Sequence, residues 1–118
     1  MESVKINVFN IVGNGNCTLP EDGEKVFEAI KKALESNKKA MISFKNVTTI
    51  TSAFLNSAIG KLYGSFEDAK LKESLQVEDM AVEDQIILKR VVIGAKLYFK
   101  DSQRMVESIK EILGEDDE

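Results

Sequence analysis

Three short apolar runs, at residues 4–11, 39–44 and 74–78, alternate with stretches whose apolar residues recur at helical spacing. This order constrains the fold more than any other feature. Strands separated by helix-length connections cannot pair as tight hairpins; they cross over, which favours parallel pairing with helices laid against the sheet. The pattern predicts a small α/β domain, with a mostly parallel or mixed sheet of three to five strands and helices packed on it.

Val4, Ile6 and Val8 alternate with Lys5, Asn7 and Phe9, so residues 4–11 read as one strand with a single buried face. Gly13-Asn14-Gly15-Asn16 reads as a turn, since Gly and Asn tolerate positive φ. A short second strand or an irregular link follows to Leu19. Thr18 with Glu21 makes a capping box around Pro20, and Asp22 is the alternative cap, Gly23 weakening the start. From there a helix runs to about Ser36, with Val26, Phe27, Ile30, Ala33 and Leu34 on one face. Asn37 is a left-handed stop.

Residues 39–44 form a compact apolar run expected to be a central strand. A second helix is expected near Ser52, capped by Thr51 or Ser52, with Leu55, Ala58, Ile59, Leu62 and Phe66 at helical spacing. Residues 74–78 alternate and make a third strand. Residues 86–93 are β-branched enough for a strand, but the acidic entry Glu83-Asp84 and the apolar spacing favour a helix to about Phe99. Its surplus of apolar positions is read as deep burial rather than an interface. Asp101 or Ser102 then caps a last helix ending at Gly114. Residues 1–114 thus make one domain, and 115–118 a solvated acidic tail.

Composition removes whole classes of function. The 118 residues include no histidine and one cysteine, so a zinc site, a Ser-His-Asp triad and a Cys-His pair are all excluded. Only carboxylate, lysine or tyrosine chemistry is left to an enzyme. A net charge of −4 and scattered lysines argue against nucleic acid as partner. No stretch approaches the ~18 apolar residues of a membrane span, and no secretion signal is visible. The expected location is the cytoplasm, with no cofactor and no metal.

Gly13-Asn14-Gly15-Asn16 lacks both the third glycine of a dinucleotide loop and the Lys-Ser/Thr of a phosphate loop. Cys17 has no histidine to activate it and reads as structural. The informative stretch is residues 44–62, where an apolar strand gives way to a polar link and then to hydroxyl residues at the mouth of a helix. On physics alone Thr51 and Ser52 cap that helix.

The same stretch resembles the STAS domain of anti-sigma-factor antagonists through Asn46-Val47, Ile50, the hydroxyl pair, Leu55, Gly60 and Leu62. In that family an Asp-Ser-Ser/Ala-Gly-Leu segment starts the helix, and its serine is phosphorylated by a partner kinase that is also the anti-sigma factor. Thr51 stands where the family has Asp, and Ser52 where it has the phosphorylated serine. Ala53 fits the pattern, while Phe54 replaces the usual glycine. A closer resemblance is to a STAS-like family of unknown function, carried by Thr51-Ser52-Ala53-Phe54-Leu55-Asn56 and Ile59-Gly60-Lys61-Leu62-Tyr63-Gly64. The helix start Pro20-Glu21-Asp22-Gly23 and the segment Leu88-Lys89-Arg90-Val91-Val92 share it.

The resemblance implies a STAS-like fold and a non-enzymatic regulatory module. Its partner is a protein, such as an ATPase or kinase of the anti-sigma type. Its partner-binding residues are Thr51, Ser52, Ala53, Phe54 and Asn56, with Ser52 as the phosphorylation position. The alternatives are a small-ligand or nucleotide sensor using the carboxyl ends of the strands, and a small carboxylate- or Lys-dependent enzyme. The expected state is a monomer or weak dimer.

Overall fold

The computed structural model describes residues 2–114, and for 101–110 the backbone alone. The chain runs β1 (Ser3–Asn7), α1 (Val8–Val12), β2 (Asn16–Cys17), α2 (Pro20–Glu35), β3 (Lys39–Ser43) and β4 (Thr49–Ile50). It continues through α3 (Ser52–Ala58), a 3₁₀ segment (Gly60–Gly64), α4 (Asp68–Ser74), β5 (Leu75–Glu78) and α5 (Val82–Leu113). β1, β3 and β5 form one sheet in that order, and β2 pairs with β4 in a second; every pairing is parallel.

Register explains which face is buried. Val4 pairs with Ala40 and Ala40 with Leu75; Ile6 pairs with Ile42 and Ile42 with Val77. Paired residues share a face, so these six line one side of the sheet, and α2 covers it over β1 and β3. Lys5, Met41 and Gln76 form a row on the opposite side. Between the sheet and the helices sit Val26, Ile30, Leu34, Ile42, Phe54, Leu55 and Leu62, all fully buried. Burying each such side chain contributes about 1.5–3 kcal/mol.

Five expectations need correction. The first strand stops at Asn7 rather than residue 11. The Asn7 side chain accepts the Asn10 N–H at 2.9 Å and caps α1, while Gly13 closes it in the left-handed region at φ 92°. Val8, Ile11 and Val12 stand at i, i+3, i+4 and all pack on the core, so a helical period ran alongside the strand period.

The capping box on α2 does not form either. Leu19 occupies the cap position without a side-chain bond, and Pro20 fills the first helical position. The C-terminal end is as expected: Asn37 has φ 56°, and the Lys38 N–H donates back to the Ala33 carbonyl at 3.0 Å.

The expected second helix is three pieces. α3 ends at Ala58, the chain tightens into the 3₁₀ segment, and α4 follows where no element was foreseen. Glycine lets this segment lie close to α5. A side chain on Gly64 would overlap the Phe99 ring of α5, while one on Gly60 would crowd only the Asn56 side-chain oxygen, at 3.2 Å.

Finally, the two expected terminal helices are one. α5 passes through Asp101 and Ser102 without a break and ends at Gly114, φ 67°. Only Val91 and Ala95 of its apolar residues between 82 and 98 are buried, so the surplus is not deep burial: Val82, Ile86, Ile93, Leu97 and Tyr98 are exposed. The expected acidic tail, 115–118, lies outside the described residues.

Candidate functional site

The turn into α3 is built by lacing two distant segments together. The Gly15 carbonyl accepts from the Thr48 N–H at 2.9 Å and from its hydroxyl at 3.2 Å. Next, Asn16 and Cys17 pair with Thr49 and Ile50, and the Thr51 N–H donates to the Cys17 carbonyl at 3.1 Å. The Thr51 hydroxyl then uses both its capacities: it donates to the Thr18 carbonyl at 3.0 Å and accepts the Phe54 N–H at 3.2 Å. Thr51 is therefore the cap of α3, with an extended backbone at φ −120° and ψ 158°.

α2 holds the other side of α3. Ser57 donates its hydroxyl to the Pro20 carbonyl at 2.8 Å, and Lys61 pairs with Glu24 while lying 4.7 Å over the Phe27 ring. Gly23 makes this contact as close as it is. A Cβ there would stand 2.6 Å from the Phe54 carbonyl oxygen and 2.8 Å from the Ser57 Cβ. What reads in the sequence as a weak helix start is a helix–helix contact that admits no side chain.

Five residues in this turn have distinct fates. Ser52, Ala53 and Asn56 are exposed, and their one-, three- and four-residue spacings place them on one outward surface of α3. Thr51 is half-buried and committed to its cap. Phe54 is 0% exposed and belongs to the core, so it is not available to a partner. Its ring is part of the main buried cluster. The hydroxyl of Ser52 takes no hydrogen bond among the described residues.

At the carboxyl ends of β1 and β3 the polar side chains are spent internally. Ser43 is fully buried; its hydroxyl donates to Asp79 at 3.0 Å and accepts the Lys45 N–H at 3.3 Å. Asn7 caps α1. Cys17 is buried beneath the turn, and burial, reinforced by the nearby Asp22 charge, pushes its thiol from 9.0 up to about 11. It is a packing residue rather than a nucleophile.

Two features escaped the sequence reading. A groove of about 690 Å³ runs between the end of β5 and α5, lined by Val77, Met80, Val82, Ile86 and Ile93 with Asp79 and Lys89 among them. A polar cleft lies between α4 and α5. In sequence, both depend on knowing that α5 returns beside β5 and α4. Among the described residues no three His, Cys, Asp or Glu side chains gather as a metal site. None of the described helices is long and apolar enough to cross a membrane.

The model of a family described as a STAS-like domain of unknown function matches residues 22–85, more than half of the chain. The match runs from within α2 through β5 to the start of α5, and so contains the Thr48–Asn56 side of the laced turn but not its partners at 15–18. Neither the curated proteins nor the solved structures contain a match to the chain.

Proposed function

The chain belongs to the STAS-like family, and from that premise we propose that it is a non-enzymatic regulatory module that engages a protein partner through Ser52, Ala53 and Asn56. The observation that carries this reading is the contrast within one turn. Ser52, Ala53 and Asn56 face outward, while Thr51, Phe54 and Leu55 are fastened by hydrogen bonds or buried. Rigid backing under an exposed patch lowers the ordering cost of binding.

Ser52 is the switch position in this proposal. Phosphorylation there adds about −1.5 to −2 charges to a surface of small neutral residues, without touching the core. The partner chemistry that fits is an ATPase or kinase of the anti-sigma type, acting in the cytoplasm. The absence of histidine and the unreactive Cys17 support the non-enzymatic part.

The test is affinity capture from native cells with wild-type protein, Ser52→Ala and Ser52→Asp. One partner retained by wild type and Ser52→Ala but lost with Ser52→Asp is the expected outcome. Identical capture with equal affinity by all three rules out Ser52 as the switch.

A further inference from the structure

The cleft between α4, the 3₁₀ segment and α5 consists of two adjoining depressions of about 570 and 480 Å³ that share Tyr63, Asp68 and Lys96. Lys72 lines one depression from α4 and Lys100 the other from α5, so three lysines and a single carboxylate line the pair. Lys96 Nζ lies 3.8 Å from Asp68 Oδ2 and 5.8 Å from the centre of the Tyr63 ring. Lys72 follows Asp68 by one helical turn, and Lys100 follows Lys96 by one. Like charges one turn apart are mildly unfavourable in a helix. Asp68 offsets one of the three, leaving two positive charges uncompensated among the lining residues of a chain whose net charge is −4.

The floor of the cleft is firm. Phe99 lies against Gly64 where a side chain would otherwise sit, which fastens α5 to the 3₁₀ segment, and Tyr98 meets the Phe99 ring edge-on at 5.0 Å. Burial, with help from Asp68, pushes the Tyr63 phenol up, so it remains protonated at neutral pH and able to donate.

We propose that this cleft binds a small di- or triphosphate anion, with Lys72, Lys96 and Lys100 meeting its charge and the Tyr63 hydroxyl donating to a phosphate oxygen. None of these residues belongs to the α3 surface, so this site and the partner surface stand or fall separately.

Isothermal titration of the full chain with pyrophosphate and with ATP, at low salt, tests it. A lysine about 6 Å from a multiply charged anion changes affinity about fivefold after screening. Lys72→Ala and Lys96→Ala are each expected to weaken binding by about that factor, and Asp68→Asn to tighten it by a similar one. All three side chains are exposed, so circular dichroism should show an unchanged fold. Amide NMR shifts on adding pyrophosphate are expected at 63–72 and 96–100. Equal affinities for the two probes mark recognition of the phosphates alone, and tighter ATP marks a nucleotide; both uphold the cleft. Absence of saturable binding, or an affinity that Asp68→Asn leaves unchanged, overturns the proposal.

Discussion

The same substitution, glycine to alanine, is expected to have opposite signs at two helical positions of this protein. In an exposed helix interior, alanine is favoured over glycine by about 1 kcal/mol, partly because glycine leaves the unfolded chain more freedom to lose. Gly94, exposed in the middle of α5, has nothing within 4 Å of the place a Cβ would take. Gly94→Ala should therefore show the full gain. Gly23 is also helical, but its Cβ would stand 2.6 Å from the Phe54 carbonyl, 2.8 Å from the Ser57 Cβ and 3.2 Å from the Ala58 nitrogen. Two of those three atoms are backbone and cannot rotate aside. Relief requires α2 to move off α3, the most extensive helix contact in the molecule, and such overpacking costs about 1–3 kcal/mol. Subtracting the propensity gain leaves about 0–2 kcal/mol of destabilisation, and because the closest atom is backbone Gly23→Ala should fall toward the upper end, a drop in Tm of up to roughly 8 °C for a chain of this size. Urea unfolding followed by circular dichroism measures both variants, Gly94→Ala shifting the midpoint up and Gly23→Ala down. If Gly23→Ala also shifts it up, the close approach of α2 to α3 is wrong.

The laced turn makes Thr51→Ala cost about 1–2 kcal/mol, since it removes a cap and a second hydrogen bond. Ser52→Ala should stay within about 0.5 kcal/mol; urea midpoints that rank the two the other way would refute the assignment of the cap. Cys17, with its thiol raised to about 11, should resist a thiol reagent at pH 8 until denaturant is added. The unfolded thiol ionises first, so stability is full below pH 9 and falls as pH rises toward 11; fast labelling of the native protein would contradict this. Ile86→Lys and Ile93→Lys should each leave stability within about 0.5 kcal/mol because both side chains are exposed. Leu62→Ala, fully buried, should cost about 2–5 kcal/mol in the same unfolding assay.

The period of the apolar residues made the sheet readable. Residues 39–43 appear as the central strand, and residues 75–78 as a strand beside it. The apolar face of α2 was equally plain, each of its five named residues being buried. Misreadings arose where one pattern had two meanings. Val8, Ile11 and Val12 satisfy a strand period and a helix period at once, and only the Asn7 cap decides between them. The positions 55, 58, 59 and 62 follow a helical rhythm through the 3₁₀ segment, whose packing depends on Phe99 of α5 lying against Gly64. Such a contact is made by a residue thirty-five positions away and leaves no local mark.

The candidate surface was legible for a different reason. Hydroxyl residues before a helix are a local capping signal, and Thr51 does what that signal says. Phe54 was misplaced because sequence position cannot tell which side of a helix of about two turns meets the core. The lysine cleft was not legible at all: Lys72 and Lys96 are twenty-four residues apart and come together only because α4 and α5 both pack on the 3₁₀ segment.

The central claim is that the outward face of α3 carries a partner contact controlled at Ser52. A photo-crosslinking amino acid placed at Ala53, in native cells, tests it most directly, with the same group at exposed Ile93 on α5 as the control. One crosslinked protein is expected from Ala53, absent from Ile93, and lost when Ser52→Asp is introduced alongside. Crosslinking from Ile93 but not from Ala53, or an Ala53 crosslink indifferent to Ser52→Asp, would contradict it.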